Sequence, residues 1–399
     1  MNSITNIDNF YFIGIGGIGM SALARYFNLE GKKVFGYDKT PSEITSTLIE
    51  EGIAIQFKDE VSLIPELIQK NKKTLVVCTP AISKNNNILS WLNAKEYWVV
   101  KRSELLGEIS KNSICLAVAG THGKTTTSAI LGHLLASCNM PVTAFLGGVT
   151  ENYNSNLIYK GSEIMVVEAD EFDRSFLHLS PTIACITSMD ADHLDIYGSI
   201  SELENTFVDF SKLVPDSNNL LFKTGLPLEG KTVSATENAD FEARNVRIEK
   251  GSYVFDLKTP SEEIKDLRFH LPGRHNMFNA VTALGMAILV GAPIDSLPNA
   301  LQDFKGVKRR FSYKIKTKNL VLIDDYAHHP AEIDAIHQAV TEMYPQNKKL
   351  IVFQPHLFSR TKDFGTEFAK SLSRFDEVIL LEIYPAREEP IEGISSKWL

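Results

Sequence analysis

The sequence has few cysteines, no apolar stretch long enough to cross a bilayer and no excess of basic residues. Its four cysteines are far apart and three lie in apolar contexts, which favours buried free thiols in a reducing cytoplasm over a disulfide framework or a zinc site. The first ten residues lack the layout of a signal peptide, and the most apolar long segment, residues 280–292, is too short to span a membrane. The net charge of −8 argues against general nucleic-acid binding. We therefore expect a cytoplasmic globular protein that binds neither membrane nor nucleic acid.

Residues 114–136 predict a buried strand, a short glycine-containing loop and a helix. The loop fits the pattern G-x-x-G-K-T, a shortened phosphate loop, because position 118 is Val118 rather than glycine. Backbone N–H groups of such a loop surround an anion, Lys124 can reach terminal phosphates, and the Thr125 hydroxyl can ligate Mg²⁺. We expect a nucleoside triphosphate here, the alternative being an ordinary strand–turn–helix corner with a surface lysine.

The first third of the chain also begins with a strand and a glycine motif. Gly14, Gly16 and Gly19 fit G-x-G-x-x-G, and a second strand ends at Asp38, as in a dinucleotide-binding βαβ unit. Two interpretations follow, an NAD-dependent oxidoreductase or a site for another pyrophosphate such as that of a UDP-sugar. We prefer the UDP-sugar, because we find no second motif that would favour hydride transfer.

Carboxylates follow the next apolar strands. Glu168 comes directly after the apolar residues 164–167. An acid at the end of a strand that neighbours a phosphate loop can hold Mg²⁺. For Asp173, metal binding and a solvated helix start are equally good explanations. His193 follows the strand at 183–187 among three aspartates, which makes it a candidate ligand of a second metal ion.

The rest of the chain predicts an antiparallel hairpin around residue 250, a helix that opens near His275, and a basic cluster at residues 307–311. Polar groups at that helix start could bind a base or merely cap the helix. Strand–helix alternation then resumes, with polar loops at residues 324–330 and 354–361 after two strands. Loops in this position bind ligands in doubly wound sheets.

Together these motifs resemble those of the Mur ligase family, in family order and over nearly the whole chain. The resemblance implies an α/β protein of three domains. These are an N-terminal Rossmann-like UDP-sugar domain (1–107), a central ATP-binding domain with a mixed sheet and a small antiparallel part (108–303), and a C-terminal Rossmann-like domain that closes over the amino acid and ATP (304–399). Because family members continue through further strand–helix units, we expect the third domain to be incomplete or short.

The motifs are most similar to those of members that join L-alanine to the lactyl carboxylate of UDP-N-acetylmuramate, through an acyl phosphate formed from ATP with Mg²⁺. The resemblance implies a catalytic role for Lys124, His193, Arg310 and His328. It implies metal ligation by Thr125, Glu168 and His193, and an amino-acid site made of Tyr326, His328 and Arg360. The implied UDP-sugar residues are Gly16, Gly17, Ile18, Gly19, Ser83 and Arg102. The implied ATP-binding residues are Gly120, Thr121, His122, Gly123, Lys124, Thr125, Thr126, His275, Asn276, Asn279 and Asp325.

Three positions depart from the family pattern. Ala327 replaces a common glycine, Ser188 replaces an asparagine found in many members, and Leu357 replaces a frequent arginine, so the contacts of these last two positions are in question. A murein tripeptide ligase of cell-wall recycling is the nearest alternative. An NAD-dependent oxidoreductase and a non-catalytic nucleotide-binding protein are further alternatives. The sequence is compatible with a monomer or a homodimer.

Overall fold

The computed structural model describes residues 4–83, 85–190, 197, 199–249, 251–386 and 388–399. The N-terminal part is a five-stranded parallel sheet in the order β3-β2-β1-β4-β5 with helices between the strands. Strand β1 is buried at every residue, as expected for the centre of a parallel sheet covered on both faces. The elements are β1 Asn9–Ile13, α1 Ile18–Leu29, β2 Lys33–Tyr37, α2 Glu43–Glu50, β3 Ala54–Gln56, α3 Glu66–Lys70, β4 Thr74–Cys78, α4 Asn87–Ala94, β5 Trp98–Lys101 and α5 Arg102–Ser110.

The middle part is a ten-stranded mixed sheet in the order β15-β14-β13-β12-β11-β10-β6-β9-β7-β8. Strand β6 lies between β9 and β10 and is parallel to both. The hairpin predicted around residue 250 is confirmed, since β13 pairs antiparallel with β14. The elements are β6 Ile114–Ala119, α6 Lys124–Ser137, β7 Val142–Thr150, β8 Ser155–Tyr159, β9 Ile164–Glu168, β10 Ile183–Ile186, α7 Ile200–Ser211, β11 Leu220–Lys223, β12 Lys231–Ser234, β13 Phe241–Glu249, β14 Ser252–Lys258, β15 Glu263–Phe269, α8 Arg274–Leu289 and α9 Leu297–Gln302.

The last part confirms the predicted strand–helix alternation, and its four strands form two pairs. Strands β16 and β17 pair antiparallel, whereas β18 and β19 pair parallel. The elements are β16 Ser312–Lys316, β17 Val321–Asp324, α10 Pro330–Met343, β18 Leu350–Phe353, α11 Phe358–Asp363, α12 Gly365–Leu372 and β19 Glu377–Leu380. Helix α10 faces the middle part. Its Glu342 accepts hydrogen bonds from two residues there, Tyr253 Oη (2.6 Å) and Arg274 Nε (3.1 Å).

The four cysteines are free thiols, in agreement with the sequence. Burial raises the pKa of Cys115 and Cys185 to about 12, so both thiols stay protonated. No helix in the described ranges is long and apolar enough to cross a membrane. Short 3₁₀ helices connect several elements, at Ile4–Asn6, Val61–Leu63, Phe172–His178, Ser217–Asn219 and Ile294–Ser296.

A buried polar contact joins the first two parts of the chain. Asn156 on β8 is fully buried, and its amide nitrogen donates to the Ser21 hydroxyl (2.9 Å) and to the Ile18 carbonyl at the start of α1. The amide oxygen of Asn156 accepts from the guanidinium of Arg25, which is buried and also pairs with Glu51 (2.9 Å). Because buried polar groups need partners, this amide fixes helix α1 against the middle sheet.

We expect Asn156→Ala to lower the free energy of unfolding by about 1–3 kcal/mol, because it leaves buried donors and an acceptor without partners. Tyr159→Phe is the matched control at the rim of the same interface. It removes only the hydrogen bond from Tyr159 Oη to Glu30 (2.6 Å) and should cost about 0.5 kcal/mol or less. Thermal and urea unfolding of both variants measures these changes. Equal losses in the free energy of unfolding would show that the Asn156 amide contributes no more to the interface than a hydrogen bond at its rim.

Candidate active site

The loop between β6 and α6 has the backbone that its glycines allow. Gly120 has φ +124° and Gly123 has φ +84°, both in the region that side chains disfavour. A Cβ on Gly120 would lie 2.1 Å from the Thr187 hydroxyl, and one on Gly123 would lie 2.5 Å from the Asn279 side-chain oxygen. Neither position therefore has room for a side chain, and the loop closes tightly at the N-terminus of α6, where backbone N–H groups favour an anion.

Lys124 points back over this loop. Its Nζ donates to the Gly120 carbonyl (2.7 Å) and to both carboxylate oxygens of Glu171 (2.8 and 2.9 Å). Burial by itself lowers the pKa of Lys124, but the charges of Glu171, Asp170 and Glu168 and the hydrogen bonds to Glu171 together outweigh it and hold the pKa above its ordinary value. The ammonium is therefore charged and held where phosphates would lie. The sequence placed Glu171 in the acidic run after β9 but did not indicate this ion pair.

Glu168 ends β9 and faces the loop. It accepts hydrogen bonds from the hydroxyls of Thr125 (3.1 Å) and Ser128 (3.2 Å) and from the Gly147 backbone N–H. Burial raises the pKa of Glu168, and these donors together with Lys124 partly offset the rise. A hydroxyl oxygen beside a carboxylate is the kind of ligand set that Mg²⁺ prefers, so Thr125 and Glu168 fit that ion.

His193, the third metal ligand expected from the sequence, lies outside the described residues, as do Asp192 and Asp195. Among the residues that are described, no group of three or more His, Cys, Asp or Glu side chains is arranged to hold a metal ion.

The end of β10 supports the loop from the other side. The Ser188 hydroxyl accepts from the His122 backbone N–H (3.0 Å), and the Thr121 hydroxyl donates to the Asp190 carbonyl (2.9 Å). Although Ser188 replaces an asparagine common in the family, its hydroxyl thus makes a contact that holds the loop.

His122 also links the loop to the last part of the chain. Its Nδ1 lies 3.5 Å from a carboxylate oxygen of Glu332 in the first turn of α10. Glu332 accepts from the backbone N–H groups of His328 (2.9 Å) and His329 (3.2 Å). Burial alone would raise the pKa of Glu332, but His122, His328 and these hydrogen bonds hold it far below its usual range. The sequence analysis did not identify Glu332.

A cavity of about 380 Å³ extends from the loop toward α8 and α10. Burial lowers the pKa of His275 to about 4, so its ring is neutral, and burial raises the pKa of Asp325 to about 6. The Asn276 amide donates to the Pro272 carbonyl (2.7 Å), so this side chain also holds the turn before α8.

The predicted ATP-binding residues that line the cavity are His122, Gly123, Thr126, His275, Asn276, Asn279 and Asp325. Lys223, Thr236 and Glu237 also line it and were not predicted.

A second cavity, of about 420 Å³, lies between the N-terminal and middle parts. Gly17, Ile18, Gly19 and Arg102 form one wall, and a Cβ on Gly19 would lie 2.7 Å from the Arg102 guanidinium. The opposite wall contains Glu168, Asp170, Arg310 and Tyr326.

Two predicted UDP-sugar residues do not line this cavity. The Gly16 N–H is directed to Asp38, whose carboxylate accepts it at 2.7 Å. Ser83 is exposed, and its hydroxyl accepts from the Asn85 N–H (3.2 Å).

A third and smaller cavity, of about 150 Å³, lies over Lys124 and is lined from the last part by His328, Glu332 and Arg360. Arg310 lines all three cavities. Its guanidinium and that of Arg309 lie over the half-exposed ring of Tyr326, at 5.3 and 5.0 Å from the ring centre. The backbone on either side of Arg310 is left-handed, with φ +60° at Arg309 and +49° at Phe311.

Comparison with known proteins finds three domain models of one family along the chain. Residues 9–113 match the description "Mur ligase family, catalytic domain", residues 118–287 "Mur ligase middle domain" and residues 309–398 "Mur ligase, glutamate ligase domain". The UDP-N-acetylmuramate–L-alanine ligase of Christiangramia forsetii is 62% identical over 400 residues, which cover 100% of this chain and 88% of the relative. The chain belongs to the Mur ligase family.

Two further similarities support the family and the fold. The enzyme of the same name from Flavobacterium psychrophilum is 61% identical over 398 residues, covering 100% of this Mur ligase and 88% of the relative. The solved structure of a UDP-N-acetylmuramate–alanine ligase from Thermotoga maritima superposes with a TM-score of 0.81 at 28% identity, over 94% of this chain and 85% of that chain. The predicted three-part α/β architecture is thereby confirmed.

The Gly123 contact predicts a loss of nucleotide affinity that backbone strain alone would not produce. Gly123→Ala should weaken ATP binding at least about tenfold, which corresponds to about 1.4 kcal/mol, because the new methyl group displaces Asn279 from the loop. Gly225→Ala is the matched control, since Gly225 has a similar φ of +89° but open space around its Cβ position. Calorimetric titration with ATP should show unchanged affinity for the control; an equal loss in both variants would contradict the steric argument.

Proposed function

We propose that this Mur ligase joins L-alanine to the lactyl carboxylate of UDP-N-acetylmuramate, with ATP converted to ADP and phosphate, in the first peptide-forming step of peptidoglycan precursor synthesis. The single observation that carries the proposal is the meeting of three cavities at Arg310, with the phosphate loop between them. One cavity suits a nucleotide, one suits a UDP-sugar, and the smallest joins them over Lys124. A reaction of three substrates at one phosphoryl group needs this arrangement.

We assign residues 1–107 to UDP-sugar binding, residues 108–303 to ATP binding and residues 304–399 to the amino acid and to closure over ATP. The lactyl carboxylate attacks the γ-phosphate to give an acyl phosphate. Lys124 and Arg310 stabilise the charge on the transferring group, which is largely electrostatic work. Mg²⁺ would be held by Thr125 and Glu168, with His193 as a further ligand, and would neutralise phosphate charge and orient the two reacting oxygens.

The second half-reaction takes place in the small cavity. The L-alanine amine attacks the acyl carbon, and the tetrahedral intermediate loses phosphate to leave the amide. Arg360 pairs with the alanine carboxylate, in the bidentate geometry that a guanidinium offers, and Tyr326 and His328 line the site. The adenine lies in the 380 Å³ cavity by His275, Asn276 and Asn279, with Asp325 near the nucleotide. We further propose that the enzyme works in the cytoplasm.

One contact weighs against an oxidoreductase built on the N-terminal glycine motif. The acid at the end of β2, Asp38, would have to bind a ribose hydroxyl in that interpretation. In this fold its carboxylate accepts from the Gly16 N–H at 2.7 Å, so it is engaged with the glycine loop itself.

The proposal predicts phosphate release from ATP only when UDP-N-acetylmuramate and L-alanine are both present, measured by a coupled phosphate assay. Phosphate released without either substrate would indicate an uncoupled ATPase. Release with the meso-diaminopimelate-containing tripeptide in place of L-alanine would indicate the recycling ligase. Either result would overturn the proposed function, and saturable micromolar binding of NADH would favour an oxidoreductase.

The domain assignment predicts that Lys124→Ala and Glu168→Ala abolish ligation and leave UDP-sugar affinity nearly intact. Lys124 lies outside the UDP-sugar cavity and Glu168 contributes only to its far wall. Lys212→Ala is a control, because this exposed lysine, among the residues that the structure describes, pairs with Asp209 alone near the end of α7 (2.9 Å). Calorimetry with UDP-N-acetylmuramate and the phosphate assay measure the two properties separately. A large loss of UDP-sugar affinity in either active-site variant would show that the assignment is wrong.

A further inference from the structure

The ring of His328 is held in one tautomer. Its Nδ1 lies 2.8 Å from the Tyr326 carbonyl oxygen and 3.4 Å from a carboxylate oxygen of Glu332. Because both of these oxygens can only accept, Nδ1 carries the hydrogen, and Nε2 of the neutral ring is left with its lone pair. Across the part of the chain that the structure describes, nothing hydrogen-bonds to Nε2.

The surroundings of His328 favour the neutral ring. Burial lowers the pKa of His328, and the nearby cations Arg360 and Arg310 lower it further, whereas Glu332 acts in the opposite direction. The ring also faces Tyr326 and His356, at 5.1 and 6.1 Å between ring centres. At neutral pH the imidazole is thus uncharged and able to accept a proton.

The other carboxylates and imidazoles that line the small cavity are either engaged or buried. Both carboxylate oxygens of Glu171 are bound by Lys124. Glu332 accepts from two backbone N–H groups, and its strongly lowered pKa makes it a weak base. Nδ1 of His122 faces Glu332 at 3.5 Å, whereas its Nε2, 3.7 Å from an Asp190 carboxylate oxygen, has no hydrogen-bond partner among the described residues but is buried out of reach of a substrate in the cavity. Of the acceptors in this cavity, Nε2 of His328 is therefore the one poised for an incoming substrate.

We propose that Nε2 of His328 removes a proton from the ammonium group of the incoming amino acid and so produces the nucleophilic amine. This inference rests on the proposed function. The proton moves from substrate nitrogen to Nε2, and the nitrogen lone pair forms the C–N bond to the acyl phosphate. The C–O bond to phosphate then breaks, phosphate leaves with the electron pair, and the nitrogen loses its second proton to the departing phosphate. His328 ends as imidazolium and returns its proton to solvent.

The test uses a nucleophile that does not need a base. Hydroxylamine is uncharged at pH 7 and attacks acyl phosphates to give a hydroxamate, which is measured by its colour with Fe³⁺. In His328→Asn the side-chain amide can still donate to the Tyr326 carbonyl but has no basic nitrogen. We expect its L-alanine ligation rate to fall roughly 10²–10⁴-fold, as on loss of a general base. Hydroxamate formation from UDP-N-acetylmuramate and ATP should stay within a few-fold of wild type.

His337→Asn on α10 is the matched control, since its ring packs on Phe375 (4.9 Å between ring centres) outside the three cavities, and both rates should be unchanged. The deficit of His328→Asn should shrink as the pH is raised toward that at which L-alanine is a free amine. If His328→Asn lost ligation and hydroxamate formation equally, the role of His328 would be structural. If the variant kept its L-alanine ligation rate, His328 would not be the base. Wild-type protein that forms neither product would refute the proposed function rather than this inference.

Discussion

The parallel pairing of β6 with β9 on one side and β10 on the other is the constraint on which the site depends. In this register Val118 lies beside Glu168, and Ala119 lies beside Ile186, so three strands end at one edge of the sheet. The glycine loop follows the central strand, the acidic run follows the second, and Thr187 and Ser188 follow the third. Loops in this position meet because parallel strands all present their carboxyl ends to the same edge. A shift of one residue in either pairing would turn these side chains to the opposite face of the sheet.

The two neighbouring parts are fixed to this edge by different kinds of contact. On the N-terminal side the contact is a buried amide, Asn156, whose partners are all inside the protein. On the C-terminal side the contacts are made by two carboxylates of α10 near the nucleotide cavity, Glu332 with His122 and Glu342 with Arg274. The middle part is thus joined to the first part through a buried amide and to the last part through two carboxylates of α10.

Features that depend on residues close together in the chain could be predicted from the sequence. The glycine spacing predicted the phosphate loop, four apolar residues before an acid predicted Glu168 beside Thr125, and alternation predicted the β13–β14 hairpin. Glu171 and Glu332 were missed, because their partners depend on packing between elements distant in sequence. Asp38 could be placed at the end of β2 from the pattern, but its acceptance of the Gly16 N–H depends on how closely the glycine loop approaches it. The role of His193 stays a prediction.

Left-handed backbone on both sides of Arg310 has a consequence for engineering this protein. Left-handed angles cost residues other than glycine roughly 1–2 kcal/mol each, and at Phe311 they are held by the buried ring and by the hydrogen bond from the Phe311 N–H to the Asp325 carboxylate (2.7 Å). The same strain sets the direction in which the Arg310 guanidinium leaves the chain, toward the meeting point of the three cavities. Glycine at position 311 would relieve this strain but would also remove a fully buried aromatic ring, which costs about 3–5 kcal/mol even for Phe→Ala. At Phe311 the strained backbone and the packed core therefore favour the same residue, and a change made to relax the turn would unsettle the fold that carries it.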